Sequence, residues 1–357
     1  MYTEEVQEPS ENDYNNRQLD LFQGFLCNNT EEREKLSNTI ELWDSVPRYS
    51  ISRRQQLTMR DEKTGTLPIY TIEFTYKGES FRAEIRPAKI NDKDVSGVIR
   101  TIEYYPSNRE ELVEDALRKL ASQKPHGFVR LQPKEASGVA FSLNGLRVEL
   151  AERGHAFSYQ EIVLSLNILH FSSIDIYKDD TEKTARISSS YLPVLAAVSR
   201  NQIEADSTSK WLVHFHPFIT KGITTLAYRQ FNYEKMMGLS TQLCRWIHKY
   251  LCMKFTQASM LTPPFQIYYK TIKRNSGLLK QKKERENFID VENALNELKS
   301  KAVLADWEKT ESLGPRGKKL DTLYKLRPTS EFCREARAAN KRHADVTAAA
   351  LCKKHQS

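Results

Sequence analysis

With 357 residues, 39% of them hydrophobic and 28% charged, the chain is long enough for two cored domains and too apolar for a largely disordered or fibrous protein. Its net charge of +8 is unevenly spread: Ile267 to Ser357 hold 21 Lys and Arg against 12 Asp and Glu, a net of +9, so the rest nets about −1. No apolar run approaches the roughly 20 residues of a membrane helix, and five scattered cysteines without a CxxC pair offer neither a disulfide framework nor a zinc site.

In chain order, Met1 to Arg48 holds 11 acidic against 4 basic residues, a net of −7. It is read as part of a mobile acidic arm spanning 1–66, with a short apolar docking patch at Leu19-Asp20-Leu21-Phe22 and Phe25-Leu26. Its acidity, without a basic and then apolar leader, does not read as a secretory signal. Tyr70, Ile72, Phe74 and Tyr76 alternate with mostly polar neighbours, and Lys77-Gly78 offers a turn before Phe81 to Ile85, so a β-hairpin is expected. A loop over 91–96 precedes a third strand from Val98 to Tyr104. Asn108 opens a helix with Leu112, Ala116 and Leu120 on one face, and a second helix is expected over Phe141–Arg153.

Ser158 and Glu161 have the spacing of a capping box, in which the serine hydroxyl and the glutamate each satisfy an orphan amide, opening a helix through Ile162, Leu166 and Leu169. Strands over Ile174–Tyr177 and Thr184–Ser190 follow, then a buried strand over Trp211–Phe218. A similar order then returns. A helix covers Ser240–Phe255, a short helix Gln266–Arg274, and a long helix runs from the turn Asn275-Ser276-Gly277 to about Lys299 with Phe288, Val291, Leu295 and Leu298 inward. Strands over Val303–Trp307 and Leu320–Leu326 flank the loop Thr310–Lys319, and a helix with a frayed tail closes the chain.

Helix, helix and hairpin in this order describe a winged helix, whose second helix enters the major groove while the wing touches the backbone. The expected fold is therefore α+β: tandem winged-helix domains with an N-terminal β-hairpin extension and a disordered acidic arm. The expected domains are the arm (1–66), a first winged helix with the hairpin (67–205), a second as the main DNA-binding unit (206–345), and a basic tail (346–357). In the second, Lys280, Lys282, Lys283 and Arg285 crowd the start of the long helix, while Asp290, Glu292 and Glu297 make its later part acidic. Arg316, Lys318 and Lys319 lie in the wing beside Gly314, Pro315 and Gly317. Lysines of this kind position a protein on phosphates, whereas Gln281, Arg285 and Asn287 have the donors and acceptors to read base edges. The first unit is less basic, and DNA contact there rests on Lys178, Lys183 and Arg186.

His214-Phe215-His216 offers a different chemistry. Two histidines flanking one residue of a strand face the same way and can hold a divalent metal, as in rolling-circle nicking enzymes that use a tyrosine nucleophile. Tyr228 and Tyr250 are candidate nucleophiles, but Pro217 follows at once and no acidic third ligand is evident. Two histidines ending a core strand are the simpler reading. There is no GxxxxGK[ST] loop, GxSxG elbow or HExxH helix, so no ATPase, esterase or zinc-protease reading arises and no cofactor is expected.

From Arg109 to about Lys325 the chain resembles the iteron-binding replication initiators of bacterial plasmids, of the broad-host-range type. Glu110 to Leu117 (EELVEDAL) is similar to the first helix of their N-terminal winged helix, and Gly238 to Tyr250 (GLSTQLCRWIHKY) to the helix opening their second. Lys282-Lys283 through Glu297-Leu298 is similar to their recognition helix. The resemblance implies a non-enzymatic protein of the bacterial cytoplasm that binds tandem double-stranded DNA repeats, promotes local opening and recruits a host initiator and helicase. It also implies a repressing dimer and an active monomer, with the first winged helix as the dimer surface. A plain winged-helix transcriptional regulator would need the same binding surface.

Overall fold

The computed structural model describes residues 35–93, 99–122, 128–131, 136–178, 185–197, 210–315 and 319–354. These form a mixed helix and strand architecture with two apolar cores, one built from residues between Ile40 and Met237, the other from residues between Leu239 and Cys333.

The expected acidic arm is corrected over its second half, while residues 1–34 lie outside the described residues. Strand β1 (Leu36–Ile40) pairs antiparallel with a strand near residue 230, and helices α1 (Glu41–Ser45) and α2 (Arg53–Met59) follow. Averaging charge over 48 residues hid this, because nine of the eleven acidic residues precede Lys35. Beyond them Ile40, Trp43, Val46, Tyr49 and Ile51 bury fully, and that apolar area is enough to order the segment.

The expected hairpin forms as β2 (Tyr70–Tyr76) and β3 (Glu79–Arg86). Its turn places Lys77 and Gly78 at φ of 51° and 83°, the left-handed pair that matches the twist of the flanking strands. Next come β4 (Ala88–Lys93), unforeseen in a polar stretch, and β5 (Ile99–Tyr104). Helix α3 (Asn108–Ala121) starts at a capping box of Ser107 and Glu110. Strand β6 (Phe128–Leu131) pairs with β7 (Ala136–Ser142), whose small residues show no clean alternation. At Gly138 an added Cβ would run into the Val213 carbonyl, so the strand pair needs glycine there.

Helix α4 (Leu143–Glu152) and α5 (Tyr159–Phe171) follow, the second opened by the Ser158–Glu161 capping box as read from its spacing. Strands β8 (Ser173–Lys178) and β9 (Ala185–Ser190) complete a sheet of order β2-β3-β8-β9, so the N-terminal hairpin joins the β8–β9 hairpin in one sheet.

The boundary expected at residue 205 is corrected. Strands β10 (Leu195–Ala197) and β11 (Lys210–His214) join the sheet β10-β11-β7-β6, so β11 belongs to the first unit. Helix α6 (Pro217–Thr224), β12 (Tyr228–Asn232, the partner of β1) and α7 (Tyr233–Met237) belong there too. The cores divide at Gly238.

The second unit runs α8 (Gln242–Lys254), β13 (Phe265–Tyr268), α9 (Tyr269–Ser276), α10 (Glu284–Ser300), β14 (Leu304–Leu313) and β15 (Lys319–Pro328). Its sheet order is β13-β15-β14. The short helix expected over 266–274 is thus a strand followed by a helix, because β13 is completed by pairing with β15 across more than fifty residues. In α10, Phe288, Val291, Leu295 and Leu298 face the core as the periodicity required. Helix α11 (Ser330–Lys354) is the expected closing helix, continued to Lys354 through most of the stretch expected as tail, and it crosses back over the first unit, where Asn232 donates to Glu335 (2.8 Å) and Lys235 pairs with Glu331 (3.1 Å).

Two further features join the units. The turn after α9 puts Gly277 at φ 63°, where a Cβ would come within 2.7 Å of Ile72 and 3.0 Å of Ser50. We therefore expect Gly277→Ala to destabilise the protein by about 1–3 kcal/mol through left-handed strain and weakened docking, measured by urea unfolding. The other feature is a buried ionic network linking Asp44 and Arg48 of the N-terminal segment, Glu114, Asp115 and Arg118 of α3, and Lys249 of α8.

Candidate nucleic-acid interface

Helix α10 lies along the β14–β15 hairpin. Lys299 pairs with Asp306 (2.8 Å), the Trp307 indole donates to Asn296 (3.0 Å), Lys309 pairs with Glu292 (2.7 Å), and the Lys319 ammonium is 4.4 Å over the Phe288 ring. These contacts step from the end of the helix to its start while the strands run from their base to their tip. The hairpin tip and the beginning of α10 therefore share one end of the unit. The basic cluster before α10 and Lys319 at the start of β15, far apart in sequence, both lie there.

At that end Lys282, Lys283 and Arg285 are exposed and make no side-chain pair among the described residues. Lys319 is half-buried and pairs with Glu311 (2.5 Å). Arg316 and Lys318 lie outside the described residues, between the two strand ends. Glu284 in the first turn of α10 is engaged by Lys273 (2.6 Å) and by the Tyr269 hydroxyl (2.8 Å). Burial pushes its carboxyl up, but the hydrogen bonds from Lys273 and Tyr269 outweigh this and hold it below the usual range. Its negative charge is thereby partly answered beside the exposed cations.

Three residues expected in the interface have other partners. The Lys280 ammonium donates to the Ser50 carbonyl (2.9 Å) and the Tyr70 hydroxyl (3.0 Å), pinning the turn to the first unit. Asn287 is fully buried; its carbonyl accepts from the Gln281 amide (2.9 Å) and its amide donates to Glu284 (3.1 Å), so it closes the turn before the helix. The Gln281 side chain donates to Asp290 (3.3 Å) but remains exposed. Sequence reasoning passed over Lys270, an exposed cation at the start of α9 whose backbone amide donates to Asp321 of β15 (3.2 Å). Reading β13 as helix concealed it, because Lys270 then appeared in mid-helix.

In the first unit, Lys178 pairs with Glu79 (2.8 Å) and Arg186 with the buried Asp175 (2.9 Å), while Lys183 lies outside the described residues. Helix α5, which precedes that unit's β8–β9 hairpin, packs against β4 and has Glu161 as its only acid and no Lys or Arg. Helix α5 thus has no basic start matching that of α10.

The two histidines part company. His214 ends β11, whereas His216 lies beyond the strand, caps α6 by accepting from the Phe218 amide (3.1 Å) and stacks 4.1 Å from Trp43. Two histidines on one strand face were expected; Pro217, opening α6, ends the strand first. Among the described residues no cluster of three His, Cys, Asp or Glu side chains could hold a metal.

Burial, aided by Arg48, pushes His216 down to about 3, and burial with Lys235 and Lys249 does the same to His248. The unfolded chain binds these protons near pH 6.5 and the folded one does not. Stability is therefore complete above about pH 6.5 and is lost as pH falls from there toward 3. Urea midpoints measured between pH 7.5 and 5 are expected to fall with decreasing pH; a flat profile would refute the buried, neutral state.

No helix among the described residues is long and apolar enough to cross a membrane. No family model and no curated protein matches the chain. It is similar to solved structures of domains 2 and 3 of RctB, at 10% identity and a TM-score of 0.46 over 80% of this chain and 97% of that one. A second crystal structure of RctB domains 2–3 gives 10% identity and 0.44 over 80% of this chain and 98% of that one. The Pi initiator protein in complex with iteron DNA gives 10% identity and 0.36 over 84% of this chain and 99% of that one.

Proposed function

We propose that the chain is an origin-binding replication initiator whose second unit is a winged helix, reading double-stranded DNA with the start of α10 and gripping the flanking backbone with the β14–β15 wing. The observation that carries this reading is the convergence of Lys282, Lys283 and Arg285 with Lys319 of the β14–β15 hairpin at one end of the unit. The order helix, strand, helix, helix and hairpin is that of a winged helix, and such a helix inserts its N-terminal part into the major groove. The acidic outer positions Asp290 and Glu297 line a cleft with Ser52 and Gln55 of the first unit. Their charge is thus turned toward protein, which leaves the N-terminal end of α10 for phosphate.

Arg285 is the group suited to base edges, since guanidinium forks match guanine; Lys282, Lys283, Lys270 and Lys319 position the duplex. Arg316 and Lys318 extend the wing contact. The first unit contributes weaker contacts through Lys178, Lys183 and Arg186, and we assign it no reading helix. Binding of several copies to tandem repeats, opening of adjacent DNA, a dimer that represses, and recruitment of a host initiator and helicase follow from the resemblance in sequence. So does residence in the bacterial cytoplasm. We further propose that the protein acts without catalysis: His216 serves as a helix cap, and His214→Ala is expected to leave DNA binding unchanged.

The test is a footprint of the purified protein on the DNA flanking its own gene, with Mn²⁺ present and strand breaks scored. Periodic protection of direct repeats without cleavage supports the initiator. A single protected operator favours a transcriptional regulator using the same surface. A site-specific nick with protein attached to the DNA end overturns both and restores His214 and His216 as metal ligands.

A further inference from the structure

A groove opens where β12 of the first unit meets the outer helix α11. Phe231, Cys252, Phe332, Ala336 and Ala339 form its apolar floor, and Lys35, Arg229, Arg334 and Arg342 surround it. Among the described residues the one acidic group lining it, Glu335, is already engaged by Asn232 and Lys235. Its volume of about 250 Å³ is below the roughly 300–1,000 Å³ of pockets that enclose drug-sized ligands. An apolar floor within a cationic rim suits a peptide that anchors large apolar side chains and carries acidic residues beside them.

The chain itself contains such a peptide, and it enters at this place. Lys35 lines the groove and is the first described residue. The 34 residues before it hold nine acidic against two basic side chains, together with the apolar stretch Leu19-Asp20-Leu21-Phe22-Gln23-Gly24-Phe25-Leu26. Only residues 27–34 separate that stretch from Lys35, and at about 3.3 Å per residue they span up to ~25–30 Å, ample for doubling back. A tethered segment also docks at high effective concentration, so even a weak anchor is occupied.

We propose that the groove between β12 and α11 is the docking site of the chain's own Leu19–Leu26 segment, with Phe22 and Phe25 on its apolar floor and the acidic neighbours against Lys35, Arg229, Arg334 and Arg342. Docked there, the segment touches both units at once and fastens α11 of the second onto β12 of the first. The reading is independent of DNA binding.

The test uses the full chain without DNA, with a photoreactive phenylalanine analogue incorporated at Phe25. Irradiation is expected to give an intrachain crosslink to peptides within 229–232 or 332–342. A crosslink elsewhere, a crosslink between two copies, or none would overturn the proposal. Hydrogen exchange of the same two peptides provides a second measurement on a variant that leaves both cores intact. Phe22→Ser with Phe25→Ser should speed their exchange several-fold, and unchanged exchange would equally overturn it.

Discussion

Reversing Lys282, Lys283 and Arg285 to Glu together is expected to abolish specific DNA binding. Each phosphate left without its cation lowers the slope of log affinity against log salt by about 0.9, so removing three cations lowers it by nearly 3. With three repelling carboxylates added, affinity at about 0.15 M salt should fall by at least ~10³-fold. The three side chains are exposed and make no pair among the described residues, so folding should be nearly unaffected. Lys299→Glu, at the far end of the same helix and paired with Asp306, is the matched control and should bind almost normally. Titrations of labelled duplex at several salt concentrations decide the matter. Retained affinity in the triple variant would mean that the duplex does not meet this end of α10.

The second large effect is on stability. Arg118 is buried between Asp44 (2.8 Å) and Asp115 (2.5 Å), and Lys249 reaches the same Asp115 (2.5 Å) from α8. Arg118→Met is expected to cost about 3–5 kcal/mol, because it strands carboxylates away from water. The effect has a pH signature. Burial pushes the Asp44 carboxyl up, but Arg118, Arg48 and Lys249 outweigh it and hold the group far below its ordinary value. Glu114 is likewise held down by Arg48 and Arg118 against its burial. A depressed carboxyl stabilises the fold above its unfolded pKa, near 4, and loses that contribution as pH falls through the folded value. The gap between wild type and Arg118→Met, measured by urea unfolding, should therefore be widest near pH 7 and narrow below about pH 4. A constant gap would show that the variant loses packing and not charge. The network also couples the units, since Gln242 of α8 donates to Glu111 (2.7 Å) and to the Tyr49 carbonyl (3.0 Å).

Several elements were legible because their cause is local. The Ser158 capping box, the Lys77-Gly78 turn and the apolar stripe of α10 each depend on a few neighbouring residues, and each forms as read. The concentration of basic residues before α10 is equally a property of sequence. By contrast, β4, β7 and β13 carry weak alternation and exist because distant strands complete their hydrogen bonds. The segment 35–66 misled through its averaged acidity, although Trp43 and Tyr49 already marked it as core.

The sequence by itself determined the helices with strong periodicity, the two-part order of elements, and which residues carry positive charge. Tertiary structure alone decided that Lys280 and Asn287 are engaged in holding the fold, that His216 caps a helix, and that Lys319 of β15 lies over Phe288 near the start of α10. The physical reason is range. Helix caps, turns and amphipathic stripes are set by interactions within a few residues, whereas the exposure of a side chain and the partner of a charge depend on chain segments up to about 230 residues away, as Lys280 and Ser50 are.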